Sequence, residues 1–381
     1  MSDSPTNGER APAVATPLVQ KLAARIRQHG PLPIDAYVEA CLQDPEHGYY
    51  RKQTAIGGGG DFITAPEISQ IFGELLGLWC ALVWQSMGGP DRLRLIELGP
   101  GRGTLMADAL RASRVVPAFH AALSVELVES NRVLVEAQRK ALASCGVPVE
   151  WHDTVSPSAT PTIVLANEFL DALALRQWIW RESGWHERAV GLDDAGALAF
   201  VEIPAADDRE PAIPASLTNP HNGCIFESRA DVFAALAAEL KTSGQPFAGL
   251  FIDYGHSEPA FGDTLQALHA HAYADPLRAP GEDDLSALVD FAAFGVAARD
   301  AGFAVDGPVT QAELLGRLGI IERASRLMSA NPAKAASIEA GIARLLAPVG
   351  MGTRFLALGI RSVDLSALPA LEPVEMRPPR Y

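Results

Sequence analysis

The chain has 381 residues, 48 % apolar and 20 % charged, with a mean hydropathy of +0.09. Such a chain buries one large core or two modest ones, which excludes global disorder. Lys and Arg number 31 against 46 Asp and Glu, a net charge of −15, a poor balance for a phosphate backbone that argues against nucleic acid as the main partner.

Met1–Thr16 carries Asp3, Pro5, Glu9 and Pro12 and reads as a disordered tail, not a signal or transit peptide. The longest apolar run, near Leu76–Trp84, is about half of the roughly 20 residues a membrane span requires, so no direct membrane insertion is expected. Cys41, Cys80, Cys145 and Cys224 are widely spaced with no C-x-x-C pair. Neither a zinc cluster nor a disulfide framework is expected, and a reducing compartment fits best; the absence of a targeting segment points to the bacterial cytoplasm, and a processed organellar form would look the same.

Leu18–His29 and Ile34–Gln43 are helices by apolar spacing. Gly57-Gly58-Gly59-Gly60 cannot hold regular structure cheaply. Thr64-Ala65-Pro66-Glu67 resembles a capping box, and Ile68, Ile71, Phe72, Leu75, Leu76 and Trp79 then keep helical spacing. One helix through about Gln85 is predicted.

From Arg92 the pattern alternates. Leu93–Leu98, Leu123–Val128, Val149–Trp151, Thr162–Ala166 and Phe247–Ile252 are short apolar strands. Helices at Leu105–Leu110, Arg132–Ala143 and Arg229–Leu240 separate them. This is an α/β fold with a mostly parallel, doubly wound Rossmann-like sheet. Gln177–Trp180, Glu187–Val190 and Leu198–Ile203 alternate like antiparallel strands, with Asp193–Gly196 as a hairpin turn. A largely helical stretch is expected from Pro276 to about Leu346, then a last strand at Thr353–Gly359. The organisation is thus a tail at 1–16 and an N-terminal helical lid at 17–90. A core follows at 91–275, with inserted antiparallel strands at about 172–225. A helical insertion at 276–350 and a final strand and tail at 351–381 complete the chain.

The sharpest signal is Glu97-Leu98-Gly99-Pro100-Gly101-Arg102-Gly103-Thr104, at a strand end and opening a helix. Gly99, Gly101 and Gly103 let the backbone approach a ligand, and Thr104 starts the helix. The G-x-G-x-G spacing differs from the dinucleotide G-x-G-x-x-G. Glu97 would repel a pyrophosphate and favour the cationic amino-acid end of S-adenosylmethionine (SAM), whose product is S-adenosylhomocysteine. Glu129, at the end of the second strand, is placed to accept both ribose hydroxyls, and Asp153, after the third, to meet the adenine edge. Each also reads, taken alone, as a solvated turn residue.

The fourth strand delivers Asn167-Glu168-Phe169-Leu170-Asp171 at its carboxyl end, and the fifth ends in Asp253-Tyr254-Gly255-His256. Carboxylates there are costly unless paired or used, although a helix N-cap cluster gives the same pattern. Asn167 is a candidate to accept from the cofactor or to orient the substrate.

With these residues the chain resembles the MidA family of SAM-dependent methyltransferases. Further matching segments are Gly48-Tyr49-Tyr50, Gly60–Ser69, Phe72-Gly73-Glu74, Asp275-Pro276-Leu277, Pro280–Leu285 and Val289-Asp290-Phe291. The family includes the mitochondrial complex I assembly factor that methylates an arginine of a core subunit. The resemblance implies a class I methyltransferase fold, SAM as cofactor and a protein substrate, with a respiratory complex I subunit as the expected partner. Glu168 and Asp171, then Asp253, are the candidates to orient an acceptor guanidinium bidentately and to take its proton. The segment carrying Tyr49, Tyr50, Asp61, Phe62 and Glu67 is expected to close over the cofactor with the glycine run as hinge; packing of the lid onto the core is the favoured reading for Phe62 and the tyrosines, and helix capping an equal one for Glu67. Asp263-Thr264-Leu265-Gln266 departs from the family's Gly-Thr-Leu-Arg-like run, placing glutamine where a basic residue is usual. His269 and His271 are expected to be loop or partner contacts, with no metal site. The inserted hairpin and late helices offer surface for a homodimer. A small-molecule methyltransferase and a SAM-binding assembly chaperone are the rival expectations. A nicotinamide-dependent oxidoreductase is disfavoured by the loop spacing and Glu97.

Overall fold

The computed structural model describes residues 16–51, 63–204, 210–241, 244–269 and 272–371. The expected tail, the four-glycine run, Asp61, Phe62 and His271 lie outside them. Among the described residues no helix is long and apolar enough to cross a membrane.

The central sheet contains β1 (Leu93–Leu98), β2 (Leu123–Val128), β3 (Val149–His152), β4 (Thr162–Asn167), β5 (Phe247–His256), β6 (Ala304–Thr310) and β7 (Phe355–Arg361). Their spatial order is β3-β2-β1-β4-β5-β7-β6. The first five are mutually parallel, and β7 runs antiparallel between β5 and β6. The order reverses between β1 and β4, which opens a crevice at the carboxyl ends of those two strands.

The helices in chain order are α1 (Pro17–His29), α2 (Ile34–Gln43), α3 (Ala65–Ile68), α4 (Gln70–Ser86), α5 (Thr104–Ser113), α6 (Pro117–Ala122) and α7 (Arg132–Leu142). They continue as α8 (Ala230–Glu239), α9 (Phe291–Asp300), α10 (Gln311–Arg317), α11 (Ile320–Ala330) and α12 (Ala335–Leu346). Side chains of the sheet alternate between two apolar layers, as the two-residue period requires. Leu95, Leu165 and Leu250 pack with α4 and α5 on one face. Ile96, Val164 and Phe251 pack with α8 and α9 on the other. Helix α4 lies close against α5 because Gly73 and Gly77 face it: a Cβ at Gly77 would stand 2.5 Å from the Ala109 carbonyl oxygen.

Two expectations are corrected. The capping box does not form: Thr64 makes no side-chain cap, and Glu67 is engaged by Thr104 instead. The single helix from Ile68 breaks at Ser69, whose hydroxyl caps α4 through Ile71 N–H. The stretch from 276 to 346 carries α9 to α12. It contains β6, which a register shift between Asp306 and Val309 lets carry Gly307 and Pro308, the residues that disguise it as a turn. The N-terminal segment reaches the crevice at Gln43, the last residue of α2, and at Tyr50.

Helices α1 and α2 also share a third core with the insertion, through Leu22, Ile34, Tyr37, Leu175, Val190 and Leu198. The inserted sheet pairs Arg176–Arg181, Gly184–Leu192, Leu198–Pro204 and Ile225–Ser228 antiparallel. Leu32–Pro33 from the N-terminal segment adds a further strand to it. The expected hairpin turn is present: Asp193 N–H donates to Ala197 O, and Gly196 has φ +79°. Gln266–His269, Ala272–Ala274 and Asp284–Ser286 form a small antiparallel sheet of their own. Short strands of this kind give no periodic signal.

Candidate active site

The glycine loop leaves β1 at Gly99 and enters α5 at Thr104. Gly99, Gly101 and Gly103 have φ of +61°, +53° and +82°, a region open to glycine without steric penalty. The loop is tied on both flanks. Gly99 N–H donates to Val128 O, and Gly103 N–H to Pro100 O. Gln138 of α7, fully buried, donates from Nε2 to Gly101 O at 2.7 Å and to Glu129 Oε2 at 3.3 Å. Its own Oε1 accepts from Trp151 Nε1–H at 2.9 Å. The sequence placed only a helix there; the signal for Gln138 was an amide on its apolar face.

Two connected hollows lie over the loop, sharing Tyr50, Gly99, Gly101 and Glu168. The larger, about 290 Å³, is lined on the β2–β3 side by Glu129 and Asp153 and on the β4 side by Phe169. Glu129 also fixes the start of α7, where its Oε1 accepts from Asn131 N–H at 2.7 Å. The smaller, about 100 Å³, is lined by Glu97, Thr104, Asn167, Glu168 and Asp171. Of the cofactor candidates, Glu97, Gly99, Gly101, Thr104, Glu129, Asp153 and Asn167 therefore line one hollow or the other. Gly103 shapes the turn behind them; a Cβ there would meet Gln138 at 3.3 Å.

The small hollow is electrostatically unusual. Glu97 is 3 % exposed, and burial pushes its carboxyl up to about 8, against the Met106 N–H bond that opposes the rise. Glu97 Oε2 and Asn167 Oδ1 are buried acceptors with no hydrogen-bond partner among the described residues. Two unpaired buried acceptors facing one small space are destabilising unless a donor enters. An α-ammonium is such a donor, so this end fits the amino-acid half of SAM and the larger hollow fits its adenosine.

Glu168 and Asp171 are thrown into the small hollow by a tight turn. Glu168 has φ +52°, rare for a residue with a side chain. Its Oε1 accepts from Ala65 N–H and Asn167 Nδ2–H, each at 3.1 Å. Burial raises Glu168 to about 8 and raises Asp171 as well. Asp171 Oδ2 accepts from the Tyr254 hydroxyl at 2.8 Å.

Asp253 does not face this space. It is fully buried. Its Oδ2 accepts from the N–H groups of Phe169, Leu170 and Asp171 at 2.9–3.1 Å, and its Oδ1 from Tyr254 N–H at 2.9 Å. The expectation that it touches the acceptor is corrected: its oxygens are consumed in holding the turn that presents Glu168 and Asp171. Arg229, which sequence reasoning passed over, is 5 % exposed. It locks the same turn by donating to the carbonyls of Asp171, Leu173, Ala287 and Leu288.

Tyr50 stands over both hollows, its hydroxyl 3.4 Å from Asp284 Oδ1 and its carbonyl accepting from Asn131 Nδ2–H. Tyr49 is buried in the third core. Glu67 lines the small hollow beside Thr104, whose hydroxyl donates to Glu67 Oε1 at 2.5 Å. His269 pairs with Asp283 at 2.8 Å, away from the hollows.

The sheet order, the glycine loop and the acid at the end of β2 define a SAM-dependent methyltransferase of the Rossmann-like class. A family model described as S-adenosyl-L-methionine-dependent methyltransferase, Methyltransf_28, matches residues 75–309. The chain is 34 % identical over 363 residues to a zebrafish (Danio rerio) protein named protein arginine methyltransferase NDUFAF7, mitochondrial, covering 89 % of this chain and 85 % of the relative. The human protein of that name is 32 % identical over 92 % of this chain and 84 % of its own length. A Burkholderia thailandensis crystal structure bound to S-adenosyl-homocysteine superposes with TM-score 0.81 at 26 % identity, covering 94 % of this chain and 97 % of that one. The chain belongs to this methyltransferase family, and SAM is its cofactor.

Proposed function

We propose that this chain transfers the SAM methyl group to an arginine side chain of a protein partner. The observation that carries the proposal is the pair of carboxylates, Glu168 and Asp171, lining the hollow beside the unpaired acceptors of Glu97 and Asn167. The names of the zebrafish and human relatives support the acceptor class. The family resemblance points to a respiratory complex I subunit as the partner.

A guanidinium is planar and permanently charged, and two carboxylates on one wall can hold it by paired N–H···O bonds. Bound SAM supplies an electrophilic methyl on a sulfonium; the protein need only align the acceptor with it and keep water out. Glu168 and Asp171 would hold the guanidinium so that one nitrogen faces the methyl carbon. As the new N–C bond forms and the S–C bond breaks, the proton leaving that nitrogen passes to the carboxylate. Burial raises the proton affinity of both Glu168 and Asp171, so either ionised carboxylate is suited to take it.

The test is to supply methyl-labelled SAM to the enzyme with its co-purifying partner and to locate the label by mass spectrometry. Methylarginine is expected. Label on lysine or in the small-molecule fraction would reject the proposal.

A further inference from the structure

A groove of about 550 Å³ lies next to the small hollow, lined by Tyr254, Gln266, Leu268, Tyr273, Leu288 and Phe355, with Arg344 and Arg354 among its other residues. The two spaces meet at one contact. Tyr254 lines the groove and Asp171 lines the hollow, and their side chains are joined by the 2.8 Å hydrogen bond. The Tyr254 ring is braced against Phe355, with centroids 5.5 Å apart. An acceptor side chain approaching the methyl from this side would pass that pair.

The groove and the hollow carry opposite charge. The hollow holds Glu97, Glu168 and Asp171. The charged side chains lining the groove, among the described residues, are Arg344 and Arg354. Both are exposed, and neither forms an ion pair among the described residues. In a chain of net charge −15, two such guanidinium groups on one apolar groove are a local inversion of sign. Tyr273 is 76 % exposed, a large value for an aromatic residue. Gln266, at the position where the family's usual run carries a basic residue, also lines this groove.

We propose that the groove seats an extended segment of the acceptor protein. Its apolar side chains beside the methylated arginine pack on Leu268, Tyr273 and Leu288. A nearby carboxylate of the segment pairs with Arg344 or Arg354, and the arginine itself passes Tyr254 toward Asp171. This rests on the arginine reading and adds a recognition rule to it: cation at depth, apolar flank, acid at the rim. Complementary charge of this kind selects partners more than it raises affinity.

The experiment uses synthetic peptides with a central arginine between leucines and valines. A glutamate, or in a parallel set a lysine, is walked through the four positions on either side. Methyl transfer from labelled SAM is measured as kcat/KM for the wild-type protein, for Arg354→Gln and for Arg344→Glu/Arg354→Glu. In at least one register the glutamate peptide should outrun its lysine counterpart by tenfold or more. The preference should shrink in Arg354→Gln and invert in the charge-reversed protein, with SAM affinity within twofold of wild type throughout. No preference in any register, or a preference that survives charge reversal, overturns the groove. So does failure of every peptide under conditions where the intact partner is methylated. Transfer confined to lysine-centred control peptides would instead overturn the arginine reading.

Discussion

Glu129 lines the larger hollow, and we propose that the ribose hydroxyls donate to it. A carboxylate that accepts from two ribose hydroxyls makes charge-assisted bonds, each worth about 1.5–3 kcal/mol when removed from a site that leaves its partner unmet. Glu129→Ala is therefore expected to weaken SAM binding about 10–100-fold by calorimetric titration, and an unchanged affinity would remove the ribose assignment. Tyr254 acts through Asp171. Its hydroxyl bonds to the charged carboxylate and so holds that acid's titration down against the burial that raises it. Tyr254→Phe should lower kcat about tenfold at neutral pH, leave SAM affinity within twofold, and move the acidic limb of the pH–rate profile upward. A purely structural tyrosine would lower activity without moving that limb. The glycine loop, Glu129 and the Asn167–Asp171 cluster were legible in the sequence because each follows an apolar strand directly. Asp253, Gln138 and Arg229 were misread or passed over because their partners are remote. Asp253 serves N–H groups 82–84 residues earlier in the chain, and Gln138 binds a carbonyl 37 residues away. Local spacing carries no trace of such bonds.

At the level of elements, the site is only as precise as the seat of α5, whose first turn closes the glycine loop. That helix is held against α4 by close backbone approach at Gly73 and Gly77. It is also tied by Arg111, which donates to Glu74 Oε1 at 2.8 Å, while Arg323 of α11 donates to Glu74 Oε2 at 2.7 Å. An added methyl at Gly77 would meet the Ala109 carbonyl oxygen at 2.5 Å and its Cα at 2.6 Å, contacts that only a backbone shift can relieve. Gly77→Ala should destabilise the fold by about 1–3 kcal/mol in denaturant unfolding, despite the better helix propensity of alanine. A neutral or stabilising outcome would show that the two helices do not set each other's position. The β1–β5 alternation with helices was legible because buried parallel strands are continuous apolar runs. β6 was not, because Asp306, Gly307 and Pro308 interrupt it, and neither was the packing of α1 and α2 with the insertion, which one two-residue strand, Leu32–Pro33, declares.

For the molecule as a whole, the concentration of buried carboxylates at one crevice links stability to pH. Glu97 and Glu168 titrate near 8 in the folded chain and near 4.5 when exposed to water. As pH rises from about 4.5 to 8 the unfolded chain releases these protons first, so it binds fewer than the folded chain and stability falls. Each tenfold difference in proton affinity between the two states is worth about 1.4 kcal/mol, which sets an upper bound of about 5 kcal/mol for each group. Below about 4.5 this loss is absent; above 8 it is complete. SAM brings positive charge to the same space and favours the ionised acids. The rise in melting temperature on adding saturating SAM should therefore grow between pH 6 and pH 7.5, and Glu97→Gln should flatten that growth. A SAM-induced rise that is constant across this range would mean that these acids do not face the cofactor.

Catalysis and recognition alike depend on where the cofactor lies. A crystal structure with S-adenosylhomocysteine should show the ribose hydroxyls within hydrogen-bond reach of Glu129, the backbone of Gly99–Gly101 against the ligand, and the α-ammonium between Glu97 Oε2 and Asn167 Oδ1. Density in the reverse orientation, or none in this crevice at saturating ligand, would contradict that placement.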